Sequence, residues 1–244
     1  MKLVYAHFKA QTLELLRLPA YAIPTLMFPA MLFLFFGVPS AQDPVQAAVL
    51  TASYAAFAVL GVAFFQFGVG IAEGRRSAWE AFLRTLPVPP QVRFAARVLS
   101  ALVFAIASSS VVIITALLLT PVRMQAIGWL RLGVALFLGS VPFELLGIAL
   151  GYLASPKAAL PLANLLYLPL SYAGGLWMPP QSLPGVLAVV SPLLPTRRYA
   201  EVVWSAVLDL PWEMDHWLWL SGYALLFGAL AIIGYYRDEG QHYT

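Results

Sequence analysis

Long apolar runs separated by short polar segments dominate this chain. Six runs approach or exceed the roughly 20 residues that a helix needs to cross a bilayer. They cover 20–38, 47–72, 94–120, 130–153, 158–178 and 216–236. No strand-like alternation competes with them, so the pattern predicts an all-α polytopic membrane protein with six transmembrane helices. Pro24 and Pro29 predict kinks in the first span, which neighbouring helices can tolerate. Residues 1–18 read differently. At helical spacing Val4, Tyr5, Phe8, Thr12, Leu15 and Leu16 share one face, while Lys2, His7, Lys9, Glu14 and Arg17 fall outside it. Such a helix lies in the membrane interface. It serves either as a basic anchor or as a contact for a cytoplasmic partner as well.

Two connections break the simple rhythm. After the fifth run, residues 179–200 stay apolar but carry Pro179, Pro180, Pro184, Pro192 and Pro195 before Arg197 and Arg198. That is too apolar for a soluble loop and too rich in proline for a spanning helix. The pattern predicts a re-entrant helical hairpin, which survives at membrane depth only where protein or a water-filled cavity covers it. Between the second and third runs lies Glu73 to Arg93. Ser77 with Glu80 makes a capping box. Trp79, Phe82, Leu83 and Leu86 give an apolar side, Glu80 and Arg84 form an i,i+4 pair, and Pro87 ends the element. A short rigid helix over 74–87 is expected; a solvated basic loop is the plainer alternative.

Composition agrees with the membrane reading. Of 244 residues, 61% are apolar and 10% charged, against about 25% charged in soluble domains. The sequence pI near 9.2 does not indicate nucleic acid, because the basic residues sit between apolar runs, where they set orientation. Ten (Lys2, Lys9, Arg17, Arg75, Arg76, Arg84, Arg93, Arg97, Lys157, Arg237) fall on one side and four (Arg123, Arg131, Arg197, Arg198) on the other. Both termini are therefore expected in the cytoplasm of a bacterial-type inner membrane. Six of the seven tryptophans belong near the opposite interface, and only Trp79 lies inside. The first run exceeds a signal-peptide core, so it is read as an uncleaved span despite Pro39-Ser40-Ala41. Without cysteine, and with His7, His216 and His242 far apart, no metal site and no catalytic residue is expected.

The order of these elements resembles the membrane subunit of ABC-2 type exporters. In that family the coupling segment tends to hold Glu, then Gly-Thr-Leu-Glu, two leucines, a small polar residue and Pro. Glu73, Glu80, Leu83, Thr85 and Pro87 match, while Ser77, Ala78 and Trp79 stand in place of Gly-Thr-Leu. Asn164, Ser171, Gly174, Gly175, Pro180, Leu183, Pro184, Pro192, Pro195 and Tyr199 follow the family's later pattern. The resemblance covers nearly the whole chain and rests on the order of diffuse motifs. It implies an export permease without its motor. It also implies coupling to an ATPase through Glu73, Arg75, Arg76, Trp79, Glu80, Phe82, Leu83 and Arg84, and an extracellular exit gate at Trp177, Pro180, Pro184, Arg197 and Arg198. The implied partners are two copies of an ABC-type ATPase holding ATP and Mg, a second permease subunit (identical or not) and membrane lipid. The sequence itself lacks a phosphate-binding loop, since none of Lys2, Lys9 and Lys157 precedes Ser or Thr.

Within the spans, Glu144, Asn164 and Gln66 are the candidate pathway or bundle-interior residues. A carboxylate at span depth costs about 2.5–3.5 kcal/mol on insertion scales, so Glu144 should face the interior or a cavity. It meets a cationic cargo or a proton, or it hydrogen-bonds Asn164 or one of Ser108, Ser109 and Ser110. Gln66 is expected to bond between helices, and the Gly147/Gly151 pair to pack closely. The expected cargo is amphipathic or hydrophobic: a drug, natural product, lipid or lipid-linked glycan. The alternative is a secondary carrier driven by an ion gradient, which would favour repeated halves that the chain lacks. An intramembrane enzyme would need a partner acid, base or ligand beside Glu144, and none is evident.

Overall fold

A computed structural model describes residues 2–77 and 89–242, with the backbone alone for 90 and 239–242. Among the described residues every regular element is helical. The first helix, α1 (Lys2–Leu16), precedes α2 (Pro19–Ser40) and α3 (Pro44–Gly74). Then come α4 (Pro90–Leu119), α5 (Ala126–Gly139), α6 (Val141–Leu153) and α7 (Pro156–Ala173). A short helix α8 (Gly185–Val190) leads to α9 (Pro195–Val207) and the long α10 (Met214–His242). Proline opens most of these helices, since its missing N–H falls where no intrahelical acceptor exists. At the start of α3 the Asp43 carboxylate adds a true cap, accepting from the Val45 and Gln46 amides at 2.9 Å each.

Among the described residues five helical stretches are long and apolar enough to cross a membrane: α2, α3, Gln91–Leu119, the α5–α6 pair (Ala126–Leu153) and Met214–Asp238. The sixth expected span, 158–178, takes the form of α7, which ends at Ala173 and is not among the five. Lys157, Asn164 and the interior prolines Pro161 and Pro169 dilute its apolar content. The run 130–153 is one stretch with a break at Ser140, because Pro142 cannot donate to the preceding turn. Residues 179–207 form two 3₁₀ turns (Pro180–Ser182, Ser191–Leu193) with α8 between them, then α9. Of the expected 74–87 helix, residues 78–87 lie outside the described residues.

Helix α3 is the enclosed centre, with nearly all of Ala47 to Phe64 buried. Its stretch Ala63–Val69 is a π-helix, a widened turn that often marks a functional region. Helix α6 lies directly on it. A Cβ on Gly147 would stand 2.2 Å from the Ala63 carbonyl oxygen, and one on Gly151 would stand 2.8 Å from that of Phe67. Only hydrogen at these positions admits the contact, and Cα–H groups against carbonyl oxygens add weak attraction. Proline in α2 is accommodated by a neighbour. Pro29 leaves the Thr25 carbonyl without its helical donor, and the Ser108 hydroxyl of α4 donates to it at 2.8 Å.

Substituting Gly147→Val should push α6 off α3 and cost about 1–3 kcal/mol, the range for overpacked cores. Gly133→Ala and Gly222→Ala, with nothing within 4 Å of the added carbon, should leave stability unchanged. Thermal unfolding of the purified protein in detergent, followed by tryptophan fluorescence, separates the three.

Candidate functional site

The helices leave a half-open cavity of about 2020 Å³ between α1, α2, α3, α7 and α10. That is well above the roughly 300–1,000 Å³ of ordinary small-molecule pockets. Its wall on α3 runs from Gly61 to Gly74 and continues to Ser77, so it extends from the end of the bundle that carries α1 to about half the helix length. This end, called the near end here, gathers α1, the close of α3, the start of α4 and the close of α10. The charged wall residues all sit there. They are His7 and Glu14 on α1, Glu73 and Arg75 at the close of α3, Arg93 and Arg97 near the start of α4, and Asp238 on α10. Deeper, Phe28, Phe65, Leu145, Ile148 and Ile232 make the wall apolar.

Two of the three expected interior residues meet in this cavity. Gln66 sits in the π-helix with only 3% of its surface exposed. Its Oε1 accepts from the Tyr21 hydroxyl of α2 at 3.1 Å, and its Nε2 donates to the Ser100 hydroxyl of α4 at 3.2 Å. The expected interhelical bond is thus a three-helix junction. Asn164 lines the cavity from α7, donating from Nδ2 to the Leu160 carbonyl at 3.1 Å. Glu144 is not on this wall. It lies in the first turn of α6, where its carboxylate accepts from Ser140 Oγ at 2.9 Å and suits the positive end of the helix dipole. The expected partners Asn164 and Ser108 to Ser110 are replaced by a residue four positions away, because the break at Ser140 turns that hydroxyl toward it. Ser109 bonds the Ala105 carbonyl at 2.7 Å.

At the near end Arg75 turns inward. Its guanidinium pairs with the Asp238 carboxylate, donates to the Ala154 carbonyl at 2.8 Å and lies 5.8 Å from the centre of the Tyr152 ring. It therefore ties the ends of α3, α6 and α10. Glu73 and Arg76 border a smaller cleft of about 450 Å³ with Ser155 and Lys157. Trp79, Glu80, Phe82, Leu83 and Arg84 lie outside the described residues.

At the opposite, far end, α9 is fastened to the bundle by hydroxyls and one indole. Trp204 Nε1 donates to Ser53 Oγ at 2.7 Å. Thr196 and Ser191 donate to the Leu170 and Ala173 carbonyls at 2.7 and 2.6 Å, capping the last turn of α7. Tyr199 donates to the Leu136 carbonyl at 2.8 Å. Burial first, and the Glu144 carboxylate second, hold the Tyr199 phenol well above its ordinary value, so it stays a donor. Arg197 pairs with Glu201 and lies over Trp204. Arg198 pairs with Asp215 at 2.9 Å and lies over Trp219. Asp209 pairs instead with Arg131 at 2.8 Å. Trp177 stands edge-on to Phe57 at 5.5 Å, Pro180 opens the first 3₁₀ turn close to Gly175, and Pro184 precedes α8.

Tyr21 and Ser100 are the site residues that sequence reasoning missed. A lone tyrosine and a lone serine in apolar runs give no signal until Gln66 is placed between them. The inward role of Arg75 was hidden because its partners Ala154 and Asp238 lie 79 and 163 residues away.

The family model of the ABC-2 type transporter matches residues 2–208. A Bacillus subtilis (strain 168) protein named "Putative transport permease YvfS" is 25% identical over 226 residues, covering 91% of this chain and 92% of its own length. No solved structure matches.

Removing the clamp by Arg75→Ala should cost about 1.5–3 kcal/mol, the range for a charge-assisted hydrogen bond, since it removes the contacts to the Asp238 carboxylate and the Ala154 carbonyl, whereas Arg76→Ala should cost little. Adding Asp238→Asn to Arg75→Ala should recover part of the loss. Melting curves of the four proteins in detergent check this.

Proposed function

We propose, for a chain that belongs to the ABC-2 type transporter family, that it is the membrane-spanning subunit of an ATP-driven exporter. Family membership and the apolar helices make it a multi-pass membrane protein and a transport permease. The narrower reading rests on one observation: a cavity reaching half-way along α3 from the end where both terminal helices, the close of α3 and the start of α4 converge. A passage of that form takes cargo from one side and needs an outside force to open the other.

The force comes from a separate ABC-type ATPase, two copies per complex, which hold ATP and Mg; this chain hydrolyses nothing. They grip the 74–87 segment, with Trp79, Phe82 and Leu83 as the apolar anchors and Glu73, Arg76, Glu80 and Arg84 around them. Arg75 passes the push inward, because it joins the close of α3 to α6 and α10. The near end and both termini are cytoplasmic, in a bacterial-type inner membrane, as the ten-to-four distribution of basic residues supports. Helix α7 completes a sixth span. Residues 179–200 form a re-entrant hairpin on the outer face, and Trp177, Pro180, Pro184, Arg197 and Arg198 frame the exit. A second permease subunit, identical or related, closes the pathway, since two-fold assembly is the commonest closed symmetry. The cargo is amphipathic or hydrophobic, a drug, natural product or lipid, in keeping with the apolar depth of the cavity.

Phe82→Asp and Trp79→Asp should leave the folded permease in the membrane. They should weaken co-purification of the ATPase and ATP-dependent efflux by about tenfold or more, the scale of losing one interfacial aromatic anchor. Efflux at the unaltered rate with both substitutions present would refute coupling through this segment. Efflux by the purified chain alone under an ion gradient would replace the reading with a secondary carrier.

A further inference from the structure

The inner half of the cavity offers hydrogen bonds but, among the described residues, no charge. Every charged wall residue belongs to α1 or to the near ends of α3, α4 and α10. Glu144, the one acid at span depth that could have met a cation, is off the wall and bonded to Ser140. The two carboxamides that remain are not saturated. A glutamine or asparagine side chain has two N–H donors and two lone pairs. Gln66 uses one N–H on Ser100 and one lone pair for Tyr21. Asn164 uses one N–H on the Leu160 carbonyl, and its Oδ1 is not engaged. The two are linked through aromatic rings. Tyr167, one turn from Asn164 on α7, stands edge-on to Phe65, the neighbour of Gln66, at 5.5 Å between ring centres. Polar capacity at such depth is costly unless something fills it.

We propose that Gln66 and Asn164 form a recognition site for an uncharged, hydroxyl-bearing portion of an amphiphile, such as a glycosyl group, while any charged portion stays at the near end. This rests on the permease reading and narrows its cargo. One hydroxyl of such a group can donate to Asn164 Oδ1 while another accepts from the second Gln66 N–H. An ammonium finds no carboxylate at that depth, and leaving water uncompensated is unfavourable for it.

The test uses the full chain in lipid nanodiscs and three fluorophore-labelled probes of equal chain length: a dodecyl glucoside, a dodecyl trimethylammonium and a dodecane. The wild type should bind the glucoside about fivefold more tightly than either other probe, the scale of one well-placed hydrogen bond. Asn164→Leu should abolish that preference and leave dodecane binding unchanged. Gln66→Glu should turn the preference toward the ammonium; should it fail to fold, Asn164→Asp carries the same arm. Equal binding of glucoside and ammonium by the wild type, or an undiminished preference in Asn164→Leu, overturns the proposal. In vesicles containing the complete complex, a glucoside preference without ATP-dependent movement would defeat the permease reading and leave the site standing. ATP-dependent movement without the preference would do the reverse.

Discussion

The contact between α3 and α6 is the constraint on which the rest of the structure depends. Gly147 and Gly151 let α6 rest on the carbonyl oxygens of the Ala63–Val69 π-helix. In a bilayer the apolar effect does little to hold helices together, because lipid is as apolar as leucine, so close backbone approach and interhelical hydrogen bonds must do it. The π-turn and the two glycines answer each other. The widened turn turns Gln66 toward Tyr21 and Ser100, and the glycines keep α6 close enough to support it. One surface of α3 thus anchors α6, and another forms the wall of the cavity.

Both ends of that core are pinned by polar groups drawn from distant parts of the chain. At the near end Arg75 reaches α6 and α10. At the far end Tyr199, Thr196 and Trp204 fasten α9 to α5, α7 and α3. Helix α7 is only partly enclosed. It packs mainly along the π-helix, has two interior prolines, and shows Leu160 and Leu165 outward.

Much of this was legible in the chain. The apolar runs, the helix ahead of the first run, the proline-rich break after the fifth run and the Gly147/Gly151 spacing all correspond to elements of the fold. Other features took a local form that the runs do not show. The run 158–178 reads as a full span by its leucines, yet Lys157, Asn164 and two prolines leave a shorter helix. Glu144 reads as mid-span because the apolar run is continuous across it. The break at Ser140 makes it also a first-turn residue of α6 with a local partner, inside the Ala126–Leu153 stretch.

By itself the sequence determined what is periodic and local: which stretches are helical, where proline opens or ends them, and how the basic residues divide between the two ends. These follow from hydrophobic period and backbone chemistry, which a linear reading contains. The tertiary structure alone decided which polar side chains meet. Arg75 with Asp238, Tyr21 with Gln66 and Ser100, and Trp204 with Ser53 are joined across 34 to 163 residues of chain. Hydrogen bonds are short-ranged and directional. Their partners are therefore selected by how the helices cross and how far each is rotated, and neither quantity is written in the order of residues along any one helix.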